Sequence, residues 1–139
     1  MKSGKKIYQL IKDLWPINRS LTGNGNRETL SKLKKINPKL IKYEVPSGKK
    51  VFDWKIPLEW NVKKAFLKDI YTKKIILDFT DNNLHLMGYS IPISKVFHFD
   101  EIKKRLNFLK NQPNAIPYTT SYYKKDWGFN ISYNKFKKT

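Results

Sequence analysis

The chain has 139 residues, enough for one compact domain or slightly more, and its 40% apolar content supplies a core, which excludes disorder throughout. It has no cysteine, which excludes disulfides, thiolate zinc sites and cysteine catalysis, and its apolar runs are too short to span a membrane. The net charge is +18, but 26 of the 29 basic residues are lysine, and arginine, the residue that nucleic-acid readers favour, occurs only at Arg19, Arg27 and Arg105. The lysines run from Lys2 to Lys138 without forming a block, alongside abundant asparagine and isoleucine, a composition that AT-rich codon use produces. A solvated lysine surface is therefore favoured over a dedicated polyanion site, and weak nonspecific polyanion binding is expected at low salt. Lys12 and Asp13 interrupt the apolar stretch that a signal peptide would need after the basic start, so a cytoplasmic location is expected.

Ile7, Leu10, Ile11 and Leu14 fall at helical spacing and predict a helix from about Lys5 to Trp15, ended by Pro16. A loop rich in Gly, Asn and Ser follows. Thr22, Asn24 or Asn26 is expected to cap a second helix, about 26–36, that carries Leu30, Leu33 and Ile36. Gly23 and Gly25 form a bare G-x-G with no preceding strand and no Lys-Ser/Thr, so a turn into a helix accounts for them better than a phosphate loop. Beyond Pro38 the pattern becomes β-like. Strands are predicted over 40–45, 51–57, part of 60–67, and most clearly over 74–80. Asp81-Asn82-Asn83 reads as the turn of a hairpin whose second strand is 84–89. A helix is expected over 99–109, with Asp100 and Glu101 at its positive end. The segments 118–123 and 127–133 read as the last strands. The fold class is α+β: two N-terminal helices (a scaffold, 1–45) followed by a β-rich module with one helix (46–139). Strands and helices do not alternate, so a doubly wound sheet is excluded.

No catalytic constellation stands out. The two histidines, His85 and His98, are thirteen residues apart and lie in no H-E-x-x-H. Alternation turns His85 away from Leu84 and Leu86, towards a surface or a partner. Asp53 and Asp78 sit in strand patterns, where a lysine across the sheet is the plain expectation. No G-x-S-x-G elbow is present. Catalytic, cofactor-binding and metal-ligating residues are all read as none. The aromatics fit a small β-rich core better than a stacking surface, but a small basic module for polyanions or glycans stands as the alternative function.

Four strings carry a more specific signal: LWPINRSLTGNGNRETL (14–30), VPSGKKVFDWKIPLEWNVKKAFL (45–67), NNLHLMGYSIPI (82–93) and QPNAIPYTTSYYKKDWGFNIS (112–132). In this order and spacing they resemble the N-terminal third of bacterial aminopeptidase-like proteins linked to polysaccharide biosynthesis. The resemblance covers about residues 5–134. It implies a zinc-peptidase α/β fold, with a small β-rich domain of unknown function inserted early. The two helices would pack on the catalytic domain, and the chain would be a fragment, incomplete relative to that fold. Zinc is implied for a complete member, held by a His- and Asp-containing segment that matches no position here. A missing catalytic domain or a second chain is the partner implied. Trp54, Trp60, Tyr122, Tyr123 and Trp127 are the aromatics expected to face the cleft. Tyr133 stands where family members tend to carry histidine.

Overall fold

The computed structural model describes residues 2–139. Among the described residues, four helices and short strands make a mixed fold of the α+β class, and the chain divides into two compact units, Met1–Val62 and Lys63–Thr139.

The first unit holds α1 (Lys2–Leu14) and α2 (Asn24–Ile36). Both form where apolar residues recur at helical spacing, and α1 ends before Pro16. The start of α2 differs from expectation. Its cap is Gly23, at φ 97°, and no side chain of the preceding loop caps it. Instead Asn61, far along the chain, accepts from the Asn24 backbone N–H at 2.8 Å through Oδ1. Thr22 is used in the other direction, accepting from the Trp60 backbone N–H at 3.2 Å.

The G-x-G now has a mechanical reason. A Cβ on Gly23 would meet the Trp60 carbonyl oxygen at 2.5 Å, and one on Gly25 would meet the Asn18 carbonyl oxygen at 1.8 Å. Both glycines let backbones approach where no side chain fits.

The predicted strand over 40–45 is absent, and these residues are irregular and mostly exposed. The segment 51–57 is not one strand either. Lys50–Val51 (β1) and Trp54–Lys55 (β2) pair as a tight antiparallel hairpin, with Phe52 at φ 53° in its turn. Alternation alone cannot distinguish a strand from a hairpin that reverses within it.

In the second unit, Phe66–Lys68 (β3) pairs antiparallel with Ile75–Asp78 (β4), the strand most legible in the sequence. The turn between them is organised by Asp69, whose Oδ1 accepts from the N–H groups of Tyr71 and Thr72 at 2.7 and 3.0 Å. The partner of β4 thus lies upstream, not downstream as predicted. Residues 83–85 form a 3-10 turn capped by Asn82, which accepts from Leu84 N–H at 3.0 Å. The Asx cap diverts the chain before a hairpin can close.

The next helix, α3 (Phe99–Lys103), is shorter than the predicted 99–109. Its Glu101 reaches back to accept from the His98 N–H at 3.0 Å, and after Lys104 the chain extends into Leu106–Asn107 (β5). Ile102 and Leu106 are both buried, as a longer helix would have required. Strand β5 pairs in parallel with Phe129–Asn130 (β6). The long strand predicted over 127–133 is therefore only β6, followed by α4 (Tyr133–Phe136), whose cap Ser132 accepts from Lys135 N–H at 3.3 Å. Residues 118–123 form no strand, although a Gly88–Thr120 bridge and the bonds of Thr119 and Ser121 to residues 88–89 hold them in place.

The core of this unit is Leu77, Leu106 and Ile131, flanked by Leu67, Ile76, Phe108, Phe129 and Phe136. Beside it lies a polar spine. Asn130 is buried, accepts from Thr119 Oγ1 at 2.5 Å and Asn107 Nδ2 at 3.2 Å, and donates to the Leu84 carbonyl at 2.8 Å. His85 is also buried, contrary to the surface role read from alternation. Its Nδ1 lies 2.9 Å from the Asn130 carbonyl. A carbonyl only accepts, so the proton sits on Nδ1.

Candidate functional site

The aromatics expected to face a cleft divide between the units. In the first, Trp54 on β2 is 46% exposed, whereas Trp60 is half-buried beside Thr22. Both lie in the stretch that follows α2, Trp54 in its short hairpin and Trp60 in an irregular part. Arg27 ties that stretch to the helix, donating to Glu59 through both Nη atoms and to Glu44 at 3.2–3.3 Å through Nε and Nη2. The Glu59 carboxyl is held below its ordinary range chiefly by the hydrogen bond from Arg27. Glu44 is lowered by Lys42 first and Arg27 second. The guanidinium is raised in turn. Forked arginine–carboxylate geometry gives this surface network more than the usual weak ion pair.

In the second unit the remaining three lie on one loop, the 117–128 strap that runs beside residues 87–91. Ser121 N–H donates to the Gly88 carbonyl at 2.8 Å, Ser121 Oγ to the Tyr89 carbonyl at 2.9 Å, and Ile91 N–H to the Asp126 carbonyl at 2.9 Å. Pro117 is buried at the start of the strap and Gly128 at its end. These contacts hold Tyr122 and Tyr123 edge to face at 4.6 Å, with Tyr89 edge-on to Tyr122 at 5.0 Å. Tyr123 is 91% exposed.

Trp127 is placed differently. It packs on Phe97 at 4.9 Å and under the Arg105 guanidinium at 5.2 Å. Arg105 also holds Asp126, Nη1 to Oδ1 at 2.5 Å. The Asp126 carboxyl is lowered chiefly by the Trp127 N–H and then by Arg105. Trp127 is therefore half-buried in a cation–aromatic stack and Tyr122 is half-buried between its neighbours, while Tyr123 carries the open face.

Tyr89 was not singled out in the sequence. Its φ is 62°, the left-handed region, which a bulky aromatic rarely occupies and which costs about 1–3 kcal/mol. Only the bare G-Y-S context hinted at a turn there, and nothing in it distinguishes tyrosine from the asparagine or glycine usual at such positions. Asp78, for which a lysine partner was expected, is held chiefly by Thr80, and the charge of Lys64 adds a smaller attraction. Asp78 Oδ1 accepts from Thr80 N–H at 2.8 Å and from Thr80 Oγ1 at 2.7 Å, which lowers its carboxyl, the backbone bond most.

Beside α3 lies an open depression of about 620 Å³ lined by Asp100, Lys103, Lys104, Leu106 and Phe108. One acid and two lysines over an apolar floor offer no nucleophile–base pair. Among the described residues no three His, Asp or Glu side chains gather as a metal would require, so the donor set present does not fit a zinc centre. No helix among the described residues is long and apolar enough to cross a membrane.

Residues 59–139 match the family described as "Domain of unknown function (DUF2172)", and the chain belongs to that family. A curated relative from Clostridium acetobutylicum, named "Putative polysaccharide biosynthesis protein with aminopeptidase-like domain", is 48% identical over 97% of this chain and 31% of its own length. A crystal structure of a "putative peptidase" from the same organism matches with a TM-score of 0.95 and 46% identity, over 99% of this chain and 32% of that one. The chain thus spans about a third of the length of the relatives it matches.

Proposed function

We propose that this chain is the N-terminal portion of an aminopeptidase-like protein: a helical scaffold (1–45) and a β-rich insert (46–139) that borders and shapes the cleft of a catalytic domain. The observation that carries the reading is the coverage. Nearly all of this chain aligns with one third of relatives whose names are aminopeptidase-like and peptidase. The exposed stripe of α1 supports it, since Ile7 and Ile11, with Trp15 just past the helix, offer a face for a further domain. Trp54, Trp60, Tyr122, Tyr123 and Trp127 are the aromatics proposed to face the cleft. In a complete protein, zinc would be held by residues beyond this chain and would supply the activated water. This chain would act through shape and access, without hydrolase activity of its own, in the cytoplasm.

The test is an aminopeptidase assay with added zinc, run on the chain alone and on the chain mixed with the remaining two thirds of the Clostridium relative. No turnover alone and chelator-sensitive turnover in the mixture are expected. Chelator-sensitive turnover by the chain alone would overturn the reading. The alternative of a dedicated polyanion module gains nothing from charge placement. The first unit carries 14 basic and 5 acidic side chains and the second 15 and 6, so the excess is spread evenly.

A further inference from the structure

We infer that the Tyr89–Tyr122–Tyr123 cluster is a binding site for an anionic sugar unit, a pyranose ring bearing a carboxylate or phosphate. Three observations meet here. The edge-to-face packing of Tyr122 leaves the neighbouring Tyr123 standing open as a flat apolar face one ring wide. A flat face of that size suits the C–H face of a pyranose better than a chain that needs a groove. Next, Lys124 and Lys125 follow directly and are exposed, whereas the nearest acid along the strap, Asp126, is already held by Arg105. The local field therefore favours an anion and disfavours the ammonium group of a peptide. Finally, Tyr89 is kept in a left-handed conformation by its own turn and by Ser121. Its ring packs edge-on against Tyr122 at 5.0 Å and so backs the cluster. A nucleic-acid strand is the poorer occupant, because residues 117–125 contain no arginine and the face has room for a single ring.

The site does not depend on the peptidase reading, since binding is read on this chain alone. The experiment is an NMR titration of the full chain with four probes: trigalacturonate, glucose 6-phosphate, neutral maltotriose and a thymidine oligonucleotide. Saturable shifts confined to the strap with trigalacturonate, glucose 6-phosphate or both are expected, and which of the two binds identifies the anion. Tyr123→Ala should weaken the binding roughly fivefold. Tyr89→Gly should weaken it similarly without lowering thermal stability, which a merely structural Tyr89 would not do. Lys124→Gln with Lys125→Gln should remove the preference over maltotriose. Equal binding of maltotriose, tighter binding of the oligonucleotide, no saturable shift with either anionic sugar, or unchanged affinity in Tyr123→Ala would each overturn the proposal.

Discussion

The two units carry the same charge excess, yet they keep their apolar residues in opposite places. Residues 63–139 bury Leu77, Leu106 and Ile131 in a shared core and satisfy a polar spine beside it. In residues 1–62 the buried positions among those described are Gly23 and Thr29, while Ile7, Ile11, Trp15, Leu21 and Ile36 are exposed. The second unit is thus held by burial of apolar side chains. The first is held by backbone contact, a borrowed helix cap from Asn61 and the Arg27–Glu44–Glu59 clamp. Burial contributes far more per residue than exposed ion pairs, so the second unit should be the more stable.

Ile131 is the side chain on which the second unit depends most. Replacing it with alanine should cost about 3–4 kcal/mol and unfold the second unit, read by urea denaturation. Loss of under about 1 kcal/mol would mean that the core is not where that stability lies. Next, Gly25→Ala forces a methyl against the Asn18 carbonyl and should cost roughly 3 kcal/mol, confined to the first unit. Amide spectra should then lose the α1 and α2 signals and keep those of β4 and β6. A loss across both units would show the two to be one cooperative body.

Acid sharpens the contrast further. Glu44, Glu59, Asp78 and Asp126 all have carboxyl groups lowered in the folded chain from ordinary values of 4.5 and 3.8. A lowered carboxyl binds protons more readily when unfolded. The stability it contributes is therefore present above its ordinary value and lost as the pH falls through its folded value. The first unit leans on Arg27 and its carboxylates, so α2 should melt at a higher pH than β4 and β6 during an acid titration followed by residue-resolved spectra. The smallest effect lies in α1. Gly4 has nothing within 4 Å of a built Cβ, so Gly4→Ala should raise helix stability by about 0.5 kcal/mol, read as greater helicity by circular dichroism.

Legibility in the sequence follows the same division. The helices α1 and α2 were readable because an apolar stripe at helical spacing needs no knowledge of what covers it. Strand β4 was readable because a hydrophobic run next to a turn has few alternatives. The pairing of β4 was not, because Leu84–Tyr89 alternates as a strand would while the cap at Asn82 and the turn at Asp69 decide the chain's course. Ile102 and Leu106, four residues apart, fit a continuous helix as well as a helix ending in a strand. In the candidate site, Tyr122 and Tyr123 were visible as a cluster, but Tyr89, 33 positions before Tyr122, is brought to it only by the strap. His85 was misplaced because the alternation that aimed it outwards belongs to a strand that does not form.

The most direct measurement is native-state hydrogen exchange on the full chain, resolved by residue. The amides of Met87, Phe129 and Ile131, hydrogen-bonded to backbone carbonyls within the second unit, should exchange only with global unfolding, while those of α1 and α2 should exchange orders of magnitude faster through local opening. Equal protection in both units would contradict the claim that only residues 63–139 carry a core of their own.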